Sequence, residues 1–195
     1  MLQRAVKLTA QSQSAAGGWY YAPGQQDDEG SVTVTQVEGL RSCRNAGITV
    51  PIQTINRALE YLRKSQNPDG SIRYKVSNPG QGSAALTAAG LMCFYSLGDY
   101  SSDNVRRALD FLRKGLRQGT LSRGSFLFYT RLYVAQAFYL AGGPDWESYW
   151  QNEAMKLPAL QVADGSWKGD IHPVFDTAVA CIILQIPYRY LPILQ

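Results

Sequence analysis

Four side chains stand out as able to do chemistry: Asp27, Asp28, Asp176 and His172. Asp27 and Asp28 belong with Glu29 to the densest acidic cluster, QQDDEGS (25–31), and His172 is the only histidine. Clustered carboxylates can hold a cation and, through it, a diphosphate. Two carboxylates across a cleft cleave glycosidic bonds, and Asp27 or Asp28 with Asp170 or Asp176 is the pair on offer. A plainer reading stands beside each. The acidic cluster reads as a solvated loop ahead of a helix, where anions are favoured and water keeps carboxylates ionised. Asp176 reads as capping or opening its helix, and His172 as a loop residue in WKGDIHPVF.

Nucleophiles are less promising. No nucleophile-elbow sequence is present for a serine–histidine system. Cys43, Cys93 and Cys181 have no short spacing, so they form neither a metal knuckle nor a disulfide framework, and they read as small buried core residues. Tyr95, Tyr129, Tyr133 and Tyr139 either fill a core or line a pocket for an apolar chain. The net charge is +4, with cations at helix ends, as in LRKS and LRKG, where they complement the helix dipole. A nucleic-acid partner is not inferred.

The elements that would position these residues are announced by a repeat. Gln13, Gln66 and Gln161 each precede a glycine by four residues and a large apolar residue by six, in QSAAGGW, QNPDGSI and QVADGSW. A degenerate copy lies between the last two: RALDFLRKGLRQG (107–119) matches RALEYLRKSQNPDG (57–70), with Leu116 in the glutamine's place. A period of about 45–53 residues suits a helical hairpin. The glycine permits a tight turn, the glutamine can bond unpaired backbone groups at a neighbouring helix start, and Trp19 or Trp167 covers the apolar junction. Gln13, Trp19, Gln66, Gly70, Gln161, Gly165 and Trp167 are therefore expected to be structural.

Between the turns two kinds of helix alternate. Amphipathic segments are expected near 2–12, 52–65, 102–117 and 145–160, with Ile55, Leu59 and Leu62 on one face of the second. Mostly apolar segments are expected near 31–46, 83–97, 126–141 and 174–186. The first kind can form an outer layer with one wet face, and the second must be covered. The expected fold is all-α, an α/α array of about four hairpins in a single domain over 1–195. Apolar residues make up 45% and charged residues 17%, ordinary for a globular domain. No apolar run is long enough to span a membrane, and there is no secretory signal. A soluble protein is expected, cytoplasmic if the chain is complete and exported if a leader is missing.

The string of an aromatic residue, leucine, glutamine, glycine and tryptophan resembles the QW motif of the terpenoid cyclase and protein prenyltransferase superfamily. YLRKSQNPDGSI (61–72) and LPALQVADGSW (157–167) carry it, with Ile72 where tryptophan is usual. Nearly the whole chain resembles bacterial prenyltransferase and squalene oxidase repeat proteins, notably SVTVTQVEGLRSCRNAGITVP (31–51), LTAAGLMCFYSLG (86–98) and DTAVACIILQIPYRYLPIL (176–194). This implies an α/α toroid of inner and outer helices, here an incomplete ring or a piece of a longer array. Many members of that bacterial group have no established activity.

The signatures that the resemblance would supply are missing. The Asp-any-Asp-Asp acid of squalene-type cyclases is absent, as is the Cys-Gly-Glu-Gln thioester string. The zinc site of the prenyltransferases needs an aspartate, a cysteine two residues later and a histidine. Here Asp176 and Cys181 are five apart, about 140° from a shared helix face, so no metal and no cofactor are inferred. The resulting expectation is a non-catalytic repeat domain binding a protein partner, a second copy or an apolar small molecule on its concave face. A terpenoid cyclase or prenyltransferase acting on an isoprenoid is the alternative, and a carbohydrate-active α/α toroid comes third. The four-hairpin count also leads us to expect association through the array's ends, with the tail PYRYLPILQ (187–195) folded over one of them.

Overall fold

Turn glycines and helix-start residues divide the chain into eight helices among the described residues, 1–78, 80–121 and 126–190 of the computed structural model. They are α1 (Leu2–Gln11), α2 (Gly30–Asn45), α3 (Ile52–Ser65), α4 (Ala84–Ser96), α5 (Asp103–Gln118), α6 (Leu127–Ala141), α7 (Gly143–Asn152) and α8 (Pro173–Gln185). No strand occurs among the described residues; Ile72 forms isolated bridges to Gln66 and Ser83. Side chains fix several starts. The Glu29 carboxylate accepts from the Val32 N–H at 2.9 Å, the Ser83 hydroxyl from Leu86 at 3.1 Å, and His172 Nδ1 from Val174 at 3.2 Å. His172, not Asp176, thus caps α8.

The odd-numbered helices are amphipathic and the even-numbered ones more buried. In α3 the covered face is Ile55, Ala58, Tyr61 and Leu62. α4 is covered on nearly every side, with Ala88, Ala89, Leu91, Cys93 and Phe94 wholly inaccessible. The last amphipathic segment departs from the single helix expected over 145–160. α7 ends at Asn152, and two 3-10 turns follow, Ala154–Lys156 and Pro158–Leu160, because Pro158 has no N–H to continue an α-helical ladder.

The chain divides into two compact units, 1–109 and 110–195. In the first, α2 packs along α4, and α1 and α3 lie against them. In the second, α6 packs on α7 and α8, with Phe128, Val134, Phe138, Tyr149 and Ile183 forming the core. α8 is covered on one side only: Val174, Ala178 and Cys181 form an exposed stripe at helical spacing. Of the three cysteines expected to be buried, only Cys93 is; Cys43 is intermediate and Cys181 exposed. Cys43 is partly covered on α2, and Cys181 falls on the exposed stripe of α8. The 3-10 turn Ile186–Tyr188 follows α8, and the remainder of the expected tail cover, from 191 on, lies outside the described residues.

Candidate functional site

The three glutamine turns share one geometry. Gln13 Nε2 donates to the Gly17 carbonyl at 2.8 Å, Gln66 to Gly70 at 3.1 Å, and Gln161 to Gly165 at 2.8 Å. The three glycines have φ of +97°, +90° and +82°, the left-handed region that side chains resist. The apolar residue two positions on gives its N–H to a threonine of the next helix at 3.0 Å: Trp19 to Thr33, Ile72 to Thr87, Trp167 to Thr177. Each indole donates to a carbonyl ten residues upstream, Trp19 to Thr9 at 2.8 Å and Trp167 to Leu157 at 2.7 Å. The threonines went unread in the sequence, although each stands near the start of its helix.

The acidic cluster is not the solvated loop its composition suggests. Asp28 and Glu29 are buried, and Asp27 is half-buried. Asp28 Oδ2 accepts from the Tyr61 hydroxyl at 2.9 Å and from the Val76 N–H at 3.2 Å. Asp27 pairs with Lys75 at 2.7 Å, and the Lys75 ammonium sits 5.1 Å from the Tyr20 ring centroid. The Lys75 hydrogen bond holds the Asp27 carboxyl below its usual range. The cluster folds inward because the Tyr61 hydroxyl, α2's open N–H groups and Lys75 all need acceptors.

In the second unit, Asp170 accepts from the Phe126 and Leu127 N–H groups at the start of α6, the latter at 3.1 Å. Chiefly the Phe126 bond lowers its carboxyl below the ordinary value. Asp176 is inaccessible on α8; its Oδ2 accepts from the Gly169 N–H at 2.8 Å, and its Oδ1 has no hydrogen-bond partner among the described residues. His172 is exposed at the cap. Asp176 is buried and Cys181 exposed, so the two do not point to one metal. Among the described residues no three His, Cys, Asp or Glu side chains gather at metal-binding range.

Tyr95 lies on α4 in the first unit, and Tyr129, Tyr133 and Tyr139 lie on α6 in the second. Tyr95 is buried and stacks on Tyr100, their centroids 5.9 Å apart. Tyr129 and Tyr133 meet edge to face at 4.8 Å. Tyr139 meets Trp146 edge to face at 5.2 Å and accepts from Arg189 Nε at 3.0 Å. Tyr139, Trp146 and Arg189 line an open cleft of about 730 Å3 with Leu140 and Pro187.

One carboxyl that the sequence reading passed over is Glu38, on α2 between Val37 and Leu40. Its Oε1 accepts from the Ser96 hydroxyl at 2.9 Å, while Oε2 is buried without a hydrogen-bond partner among the described residues. Ser96 in turn accepts from Arg41 at 3.0 Å. Burial, opposed by Ser96 and Arg41, pushes the Glu38 carboxyl up. A glutamate within an apolar helix face was the available signal.

No protein-family model and no curated protein matches the chain. Solved structures do. The type II terpene cyclase MstE from Scytonema, in its apo form, is similar over 97% of this chain and 58% of its own length, with 16% identity and a TM-score of 0.61. A variant of that enzyme holding its product, merosterolic acid A, gives 97% and 60% coverage, 18% identity and 0.61. Another, holding its substrate geranylgeranyl dihydroxybenzoate, gives 97% and 58%, 18% and 0.60. The fold is that of the α/α-toroid terpenoid cyclases. The chain spans less than two thirds of the length of the cyclases whose fold it matches. No helix among its described residues is long and apolar enough to cross a membrane.

Proposed function

We propose that the chain is a non-catalytic terpenoid-cyclase-like repeat domain that binds an apolar ligand. The state of its aspartates carries this reading. Protonating an alkene requires a neutral carboxylic acid held ready in a dry site. Asp27 and Asp170 are instead held in the ionised form by Lys75 and by the start of α6. Asp28 and Asp176 are engaged as acceptors for backbone N–H groups. The cleft of Tyr139, Trp146 and Arg189 is the binding surface in this reading. Its rings suit a polyprenyl chain, and Arg189 suits an anionic head such as the dihydroxybenzoate carried by the MstE substrate. Titrating the protein with geranylgeranyl dihydroxybenzoate should quench tryptophan fluorescence, and Trp146→Ala should weaken the binding. Unchanged fluorescence and calorimetry without heat would refute ligand binding, and a cyclised product of the same mass would refute the absence of catalysis.

A second reading rests on Glu38. Burial drives this carboxyl toward its neutral form, the form that a cyclase-type proton donor needs. Activity lost in Glu38→Gln but kept in variants of Asp27 and Asp170 would favour it.

A further inference from the structure

The first two glutamine turns are each filled by the start of a later amphipathic helix. Gln13 Nε2 also donates to the Thr54 carbonyl of α3 at 3.0 Å, and a Cβ on Gly17 would strike the Arg57 carbonyl. The Arg57 guanidinium returns a bond to the Ser14 carbonyl. Gln66 repeats this one hairpin on. It donates to the Asn104 carbonyl of α5 at 2.9 Å, and a Cβ on Gly70 would strike Arg107.

The third turn has the same internal geometry, and no helix start meets it among the described residues. Gln161 keeps its bond to Gly165, and a Cβ on Gly165 would meet nothing within 4 Å. Gln13 is 6% exposed, whereas Gln161 is exposed, with Leu160 at 44% and Val162 at 37%. The matching half lies on α1. The helix starts that fill turns one and two read Ile55-Asn56-Arg57-Ala58 and Val105-Arg106-Arg107-Ala108; α1 reads Leu2-Gln3-Arg4-Ala5. Arg4 therefore corresponds to Arg57 and Arg107, and Leu8 to Tyr61, whose ring a Cβ on Gly18 would strike in turn one. Arg4 is exposed and Leu8 is 54% exposed. α2 carries a bare stripe of small residues, Thr35, Gly39 and Ser42, and α8 the bare stripe Val174, Ala178 and Cys181.

We propose that the third glutamine turn is a docking site for α1 of a second copy of this chain, in the contact that the first two turns make with α3 and α5. The contact is heterologous: each copy offers one turn and one helix start. It joins two surfaces whose counterparts within the chain are already paired, and it leaves no exposed Leu8 or Val162 at the joint. It does not depend on the ligand reading above.

Complementing variants test it. Val162→Glu alters the turn and Leu8→Glu the helix, both at exposed positions; far-UV circular dichroism and thermal melting check that each folds. By sedimentation velocity at micromolar concentration the 1–195 chain should associate. Each variant alone should associate at least about tenfold more weakly, a loss of roughly 1.4 kcal/mol. An equimolar mixture of the two should form a heterodimer, because one intact turn and one intact α1 remain. Hydrogen exchange on the unaltered chain, independent of any variant, should show 161–165 and α1 gaining protection together as concentration rises. A monomeric wild type, association indifferent to both variants, or a mixture that stays monomeric would overturn the proposal.

Discussion

The N–H of Ile72 and the hydroxyl of Thr87 are joined at 3.0 Å, and that hydroxyl itself donates to the Ser83 carbonyl at 2.6 Å. One buried side chain thus closes a turn onto the helix it feeds. Thr33 and Thr177 accept in the same way from Trp19 and Trp167.

Removing this acceptor strands a buried N–H. Thr87→Val should destabilise the fold by about 1–3 kcal/mol, the cost of an unsatisfied buried donor, and Thr87→Ser should recover most of it. Urea denaturation of the two variants measures the difference. Equal stability of valine and serine would remove the hydrogen bond from the account.

Trp167 is 6% exposed, and its indole is bonded to Leu157. Trp167→Ala should cost about 3–5 kcal/mol, the range for truncating a buried large aromatic. A loss below about 1 kcal/mol in chemical denaturation would show that the turn does not pack through its tryptophan.

Gly70 and Gly165 have the same backbone sign but different surroundings. Gly165→Ala should lose only the left-handed penalty, about 1–2 kcal/mol. Gly70→Ala adds a collision with the Arg107 carbonyl and should lose at least about 1 kcal/mol more. Paired thermal melts decide this, and equal losses would deny that turn two is filled by α5.

Glu38 predicts a pH dependence. Its folded pKa lies above its unfolded value, so the folded chain binds the extra proton. Stability from this group is present below the unfolded value of 4.5 and declines as pH rises through the folded value. Glu38→Gln should flatten that decline and match or exceed the wild type at neutral pH. Stability profiles that run parallel from pH 4 to 8 would contradict it.

Much of the helical order was legible in the residues. The alternation of amphipathic and apolar segments marked α1 to α6 and α8 within a few residues, since a helical face shows itself over three or four turns of local sequence. The fourth amphipathic segment was overextended, because periodicity ran on past Asn152 while the chain turned into 3-10 geometry around Pro158. The acidic cluster was misjudged as wet. Composition marked Asp27 to Glu29 as polar, but nothing near them in sequence announces Tyr61, 33 residues from Asp28.

The sequence by itself determined what is local: a positive φ at Gly17, Gly70 and Gly165, and a glutamine four residues back, within reach of the glycine's carbonyl. These depend on residues a few bonds apart, whose geometry the covalent chain nearly dictates. Only the tertiary structure decided which turns are filled and which carboxyls are held ionised. Gln13 meets Thr54 across 41 residues and Gln66 meets Asn104 across 38, while Gln161, with the same local string, meets no helix start among the described residues. Likewise burial raises the Glu38 carboxyl and Lys75 lowers that of Asp27. A carboxyl's proton affinity follows from the dielectric and the charges that folding brings beside it, and those neighbours come from distant parts of the chain.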